Sequence, residues 1–321
     1  KWNFNKFNVS YSEFKALVSE TSEKLNDFGT INEKPIVLVL RNNAEFIISF
    51  LGVTNTNSIA APLNPEFTDE EFKFYLDDIQ PSLVITTDDH KVINEARSKN
   101  IPVCIISYSD KKLSLSFEGK LSGNNDTNKP TNNNSCLFLH TSGTTSRPKG
   151  VPLKHKNLLK SLDNIVNTYE LSEQDIAMVV MPLFHVHGLI GVALSTLASG
   201  GEIVIPEKFS ASAFWKIQKD YNATWYSAVP TIHQILLLRA EDDNAPKKSF
   251  RLIRSCSAAL APSVLEDLEK RFGAPVLEAY GMTEASHQMS SNPLPPNKRK
   301  AGSFRNNWCI QESSKSLWYY K

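Results

Sequence analysis

Apolar residues along this chain fall into two alternating rhythms. Short unbroken runs such as Ile36-Val37-Leu38-Val39-Leu40, Ile59-Ala60-Ala61-Pro62-Leu63, Leu83-Val84-Ile85-Thr86 and residues 101–106 have the length of strands buried on both faces. Between them lie stretches with helical spacing. Phe14, Leu17, Val18, Thr21 and Leu25 predict a helix capped by Ser12 and ended by Gly29. Residues 43–52 predict a second helix. Residues 69–76 predict a third, opened by Thr68 with Glu71 three residues on, the pattern of a capping box. Cys136-Leu137-Phe138-Leu139 is again a strand. Leu158, Leu159, Leu162, Ile165, Val166 and Tyr169 then give one apolar face to a helix over about 156–169. The alternation runs on, with strands at 178–180, 202–205, 223–230 and from 252 and 276 onward. Helices are expected at 193–198, from 214, at 232–238 and at 263–272. Such alternation predicts an α/β fold of mainly parallel sheets flanked by helices.

Composition narrows this only a little. The 321 residues suit one large domain or two ordinary ones, and 41% apolar content allows a sizeable core. A net charge of +1 argues against nucleic acid or an anionic membrane as the main partner. Cys104, Cys136, Cys256 and Cys309 have no CxxC spacing, so neither a disulfide framework nor a zinc site is expected, and a reducing compartment is. No apolar run reaches the length of a membrane span. Residues 119–134 are rich in Asn, Gly and Ser and read as a polar surface loop within one domain.

The chemistry is concentrated in His140-Thr141-Ser142-Gly143-Thr144-Thr145-Ser146-Arg147-Pro148-Lys149-Gly150. Five hydroxyl side chains, two glycines and two cations fall within eleven residues. A small-residue loop leaving a strand can turn several backbone N–H groups toward one anion, and the hydroxyls and Lys149 add donors and charge. A polyphosphate is the natural ligand. The helix expected behind the loop would add its dipole. This is not a Walker loop, because Lys149 precedes the second glycine and no Ser or Thr comes after it.

Further along, Pro182-Leu183-Phe184-His185-Val186-His187-Gly188 sets two histidines at i, i+2, with no third metal ligand near in sequence. Taken alone, each fits a satisfied buried imidazole better than a ligand. Ser255-Cys256-Ser257-Ala258-Ala259 ends a strand in small residues, where a flat ring can lie against backbone. Glu278-Ala279-Tyr280-Gly281-Met282-Thr283-Glu284 brings polar groups to the C-terminal end of a strand, the usual ligand edge of a parallel sheet.

Thr-Ser-Gly-Thr-Thr…Pro-Lys-Gly, Pro-Leu-Phe-His and Tyr-Gly-x-Thr-Glu, in that order, resemble the signatures of the adenylate-forming superfamily. This group includes acyl-CoA synthetases, coumarate–CoA ligases and luciferases. The resemblance covers roughly residues 8–304 and implies an ATP-dependent ligase that uses Mg²⁺ and CoA. It implies that Thr141, Ser142, Gly143, Thr144, Thr145 and Lys149 hold the phosphates. Ser257, Ala258, Ala259, Glu278, Ala279 and Tyr280 would hold adenine, and Thr283 the α-phosphate. Glu284 and Thr144 would bind Mg²⁺. His185 would stand between the phosphates and the acyl pocket, with His187 facing that pocket.

Within the superfamily, Arg254-Ser255-Cys256-Ser257-Ala258-Ala259 and Glu284-Ala285-Ser286-His287-Gln288-Met289 resemble the oxalate–CoA ligases. A dicarboxylate pocket needs hydroxyl and imidazole donors, because an apolar tunnel would leave the second charge unpaired. Ser257 and His287, with His185 or His187, are the candidates. A medium-chain acid is the alternative substrate. A non-catalytic nucleotide-binding fragment is the alternative class, since the family's Thr-Gly-Asp segment and the domain carrying its catalytic lysine have no match here. The truncated form is therefore expected to be weakly active or inactive, with residues 305–321 an unmatched, poorly ordered tail. A full-length form is expected to be cytoplasmic or peroxisomal.

Overall fold

In a computed structural model of the chain, residues 8–303 are described, except 30–31, 110–111, 122–128, 142–147, 242, 244 and 249. Where one domain is expected over 1–304, the chain divides into two compact units, Lys1–Lys156 and Asn157–Lys321.

In the first unit, helix α1 (Tyr11–Phe28) is capped by Ser10, not Ser12. The Ser10 hydroxyl accepts from the Glu13 N–H and the Glu13 carboxylate accepts from the Ser10 N–H, a reciprocal box that a cap at Ser12 could not make. Next come β1 (Pro35–Val39), α2 (Ala44–Asn55), β2 (Ile59–Pro62), α3 (Asp69–Ile79), β3 (Leu83–Thr86), α4 (Val92–Ser98), β4 (Val103–Ser109), β5 (Lys112–Glu118), β6 (Ser135–Thr141) and β7 (Lys149–Lys154). The sheet order is β5-β4-β3-β1-β2-β6-β7. Its middle strands are parallel, and β5 and β7 turn back antiparallel at the two edges. Val37, Val39 and Val84 pack with Phe72 and Leu76 in its core. The sequence pattern did not mark α4 or β5. Leu113, Leu115 and Phe117 alternate with polar residues in β5 and are only half-buried; Phe117 stacks on Phe28 of α1 at 4.4 Å.

The second unit opens with α5 (His155–Tyr169), which starts at the end of the first. It continues with β8 (Ile176–Met178) and α6 (Val186–Gly188), which runs through a π-helical turn (Leu189–Leu194) into α7 (Ser195–Ala198). Then come β9 (Glu202–Val204), α8 (Ala211–Tyr221), β10 (Trp225–Ala228), α9 (Pro230–Leu238), β11 (Leu252–Ser255), α10 (Pro262–Phe272), β12 (Val276–Met282), a 3₁₀ turn (Thr283–Ala285) and β13 (His287–Ser291). The sheet order is β13-β12-β11-β10-β8-β9, parallel except for β13. Phe214 lies edge-on to Tyr226 at 5.0 Å and to Trp215 at 4.9 Å, within a core closed by Phe250 and Phe272. Among the described residues no helix is long and apolar enough to cross a membrane.

Candidate active site

The residues singled out in the first unit lie at the mouth of a hairpin. Thr141 ends β6 opposite Lys149, the exposed first residue of β7. Ser142, Gly143, Thr144 and Thr145 between them lie outside the described residues. The hairpin corrects one expectation. No helix starts behind the loop. The six-residue β7 intervenes and carries the chain to the far end, where Lys154 pairs with Ser135 and α5 begins. Five strand steps cover about 17 Å, so the α5 dipole acts well away from the loop. Pro152 is tolerated because β7 is an edge strand. Gly150 is required by the neighbouring strand: a Cβ there would lie 2.3 Å from the Phe138 ring.

In the second unit the candidates at 257–259 and 278–284 lie in the C-terminal part of β12 and just past the ends of β11 and β12. Ser257, Ala258 and Ala259 are exposed, and Ser257 adopts φ +73°, a left-handed conformation rare for a residue with a Cβ. Ala279 is buried in β12, Tyr280 is 47% exposed, Thr283 is half-buried and Glu284 is exposed. An exposed aromatic face and short Ala side chains suit an adenine ring. Glu278 is different: its carboxylate is buried, accepts the Gly302 N–H at 2.9 Å, and burial raises its pKa. The 3₁₀ turn Thr283–Ala285 reverses the chain into β13, whose pairing with β12 is shifted by a bulge between Tyr280 and Gly281. A Cβ on Gly281 would lie 1.9 Å from the His287 carbonyl oxygen, so the close approach of β13 at the bulge needs glycine.

His185 takes the N-cap position of α6 with its residue exposed and its ring against Phe184 at 4.6 Å. Partial desolvation lowers its pKa, so it is neutral at pH 7. His187 is buried, and both ring nitrogens are engaged: Nδ1 lies 3.0 Å from Ser257 Oγ and Nε2 lies 2.7 Å from Ser227 Oγ. It therefore stands behind Ser257. His287 is also buried, with φ +94°, and stacks on His187 at 5.4 Å between centroids.

Arg254, which the sequence offers only as one member of a motif, ties these groups together. It is 0% exposed. Its Nε–H donates to Tyr169 Oη at 2.8 Å, and one terminal nitrogen donates to Ser227 Oγ at 3.0 Å. The other donates to His287 Nε2 and Gln288 Oε1, both at 2.9 Å. Burial first, and the Arg254 charge second, hold the pKa values of His187 and His287 well below the ordinary imidazole range. Room for the cluster comes from Gly191 in the π-helical turn, where a Cβ would lie 2.3 Å from His287 Nε2. A signal for Arg254 exists in the sequence: it is the one charge in the buried strand Leu252-Ile253-Arg254-Ser255. Ser227, Tyr169 and Gln288 carry no such mark.

Residues 3–305 match the model of the family described as AMP-binding enzyme. The chain belongs to that family. An oxalate–CoA ligase of Arabidopsis thaliana is 46% identical over 302 residues, covering 90% of this chain and 58% of that protein. An oxalate–CoA ligase of Saccharomyces cerevisiae is 42% identical over 294 residues, covering 83% of this chain and 54% of that protein. The ATP-bound MatB of Rhodopseudomonas palustris superposes with a TM-score of 0.76 at 25% identity, covering 90% of this chain and 57% of that chain. The chain thus spans a little over half the length of the curated relatives it matches. Its two sheets are those of the AMP-binding fold.

Proposed function

We propose that this chain is the adenylating part of an ATP-dependent acid–CoA ligase whose acid is oxalate. The observation that carries the reading is the polar wall built from Ser257, His187, His287 and Arg254, in a family whose near relatives here include two oxalate–CoA ligases. Donors placed there would satisfy a second carboxylate, whereas an aliphatic tail against them would leave buried polar groups unpaired.

In the reaction, a carboxylate oxygen of the acid attacks the α-phosphorus of ATP. The bond to the β-phosphate breaks, giving an acyl-adenylate and pyrophosphate. The thiol of CoA then displaces AMP and leaves a thioester. No protein nucleophile is needed. The loop 141–145 and Lys149 would position and neutralise the phosphates, and Thr283 would donate to the α-phosphate. Tyr280 and the segment Ser257-Ala258-Ala259 would flank adenine. His185 is neutral and exposed, suited to the junction of phosphates and acid. Among the described residues no three His, Cys, Asp or Glu side chains converge as a metal cage. Mg²⁺ would be held by the exposed Glu284 carboxylate and by the Thr144 hydroxyl, oxygen donors that suit a hard cation. When bound, it neutralises charge on the leaving pyrophosphate. Buried thiols at Cys104, Cys136 and Cys256 accord with a reducing setting, cytoplasmic or peroxisomal.

The test is acid-dependent exchange of labelled pyrophosphate into ATP, with oxalate beside octanoate and coumarate. Exchange with oxalate alone is expected. Exchange with octanoate instead would sink the oxalate assignment. ATP binding without exchange for any acid would leave only a nucleotide-binding fragment.

A further inference from the structure

Hydrogen bonds have a direction, and in the Arg254 cluster that direction is fixed. A guanidinium has five N–H donors and no acceptor. The nitrogen it meets at 2.9 Å, His287 Nε2, must therefore be the lone-pair nitrogen, and the ring proton must sit on Nδ1. Nδ1 of His287 has no hydrogen-bond partner among the described residues and keeps its N–H available.

The second path runs through Ser227. Its oxygen accepts from Arg254 at 3.0 Å, so its own proton needs an acceptor. Among the described residues its other hydrogen-bond contact is His187 Nε2 at 2.7 Å. Ser227 thus donates to Nε2, which puts the His187 proton on Nδ1. Nδ1–H then donates to Ser257 Oγ at 3.0 Å. The Ser257 hydroxyl proton is released to point away from the cluster, and Ser257 is exposed. Both Nε2 atoms face the Arg254 side, and the two rings lie 25° from parallel. Tyr169 and Gln288 hold the guanidinium in place: Tyr169 accepts from Arg254 and donates to Gln288 Oε1 at 2.8 Å.

We propose that Arg254 is a positioning residue for the acid substrate, which sets two hydrogen-bond relays, Arg254→His287 and Arg254→Ser227→His187→Ser257, so that each ends in a donor left for the ligand, the His287 Nδ1–H and the Ser257 hydroxyl. Two such donors favour a group that offers two acceptor oxygens, a carboxylate, over a methyl, which pairs with neither. This rests on the oxalate reading for the identity of the ligand, but the polarity of the relays is a property of the chain alone. It also explains why Arg254 is buried: it acts through neutral groups and presents no charge of its own. Selectivity then comes from tautomers, which do not change with pH as long as the imidazoles stay neutral.

The experiment has two readouts on the full chain. Two-bond ¹H–¹⁵N correlations of the imidazoles distinguish the Nδ1–H form, the Nε2–H form and the imidazolium. His187 and His287 are both expected as Nδ1–H, the form that free histidine disfavours. In Ser227→Ala, His287 keeps that form and His187 loses it. In Arg254→Lys, whose compact ammonium cannot reach both arms, at least one of the two changes. Pyrophosphate exchange with oxalate against acetate, the two-carbon acid lacking the second carboxylate, gives the second readout. Ser227→Ala is expected to raise the KM for oxalate about tenfold while leaving kcat and the acetate rate near those of the parent. His287 found as Nε2–H or as imidazolium in the folded parent overturns the relay whatever acid is used. Correct tautomers with an unchanged oxalate-to-acetate ratio in Ser227→Ala overturn the positioning role. Correct tautomers in a parent that adenylates a different acid overturn the oxalate reading, and with it the ligand assigned to the relay.

Discussion

The β6–β7 hairpin of the first unit and the Arg254 cluster of the second each gather candidate polar groups, by opposite routes. At the hairpin the proposed role falls to small hydroxyl residues between two strand ends, with Lys149 exposed to solvent. In the cluster each Arg254 nitrogen donates to a buried partner, inside a core where the guanidinium has no access to water. The first arrangement can fail in catalysis without failing in folding. The second cannot be altered in one without the other, because an unsatisfied buried polar group costs about 1–3 kcal/mol, and more when charged.

That contrast sets the order of effects on stability. Arg254→Met should be the most damaging, at about 3–5 kcal/mol, since it strands Tyr169, Ser227, His287 and Gln288 around an apolar stem; a urea titration reads it, and a loss under about 1 kcal/mol would break the contrast. Acidification comes next. Burial holds the native pKa of His233 at about 4, and those of His187 and His287 well below normal. The unfolded chain binds more protons once pH falls below about 6.5. Stability is thus full above that pH and declines beneath it. His233 alone should contribute a loss of about 2 kcal/mol by about pH 5, seen as a lower urea midpoint. Gly191→Ala, which drives a methyl into His287, should cost about 1–3 kcal/mol and shift the His287 resonances. Lys149→Ala should move the midpoint by less than about 0.5 kcal/mol yet slow pyrophosphate exchange about 100-fold. A Lys149 variant that unfolds the chain would erase the distinction between the two regions.

Legibility divided along the same line. The phosphate-loop pattern can be read from sequence because its chemistry depends on residue types within one short stretch, although residues 142–147 lie outside the described structure. Strands β1, β3 and β10 were legible from unbroken apolar runs, since both faces are buried. The return strand after the loop was not: Val151-Pro152-Leu153 gave no sign that β7 pairs back on β6, a contact set by tertiary packing. Strand β5 escaped because Leu113, Leu115 and Phe117 are spaced by Ser in a half-buried edge strand. His287 and Ser257 were nominated by resemblance. Their supports, Tyr169 and Ser227, are separated from Arg254 by 85 and 27 positions. Only the fold brings those residues together.

The π-helical turn Leu189–Leu194 has a consequence for how this segment tolerates insertions and deletions. A π turn carries one residue more than the α-helical turn it replaces, so everything beyond it is rotated by roughly a quarter of a revolution. Removing a single residue here would give a helix that is locally more regular, yet it would turn the gap left by Gly191 away from His287 and place a side chain against Arg254. Length is therefore constrained in this segment more tightly than composition. Sequences sharing the cluster should differ between positions 189 and 194 by substitution and keep the spacing intact.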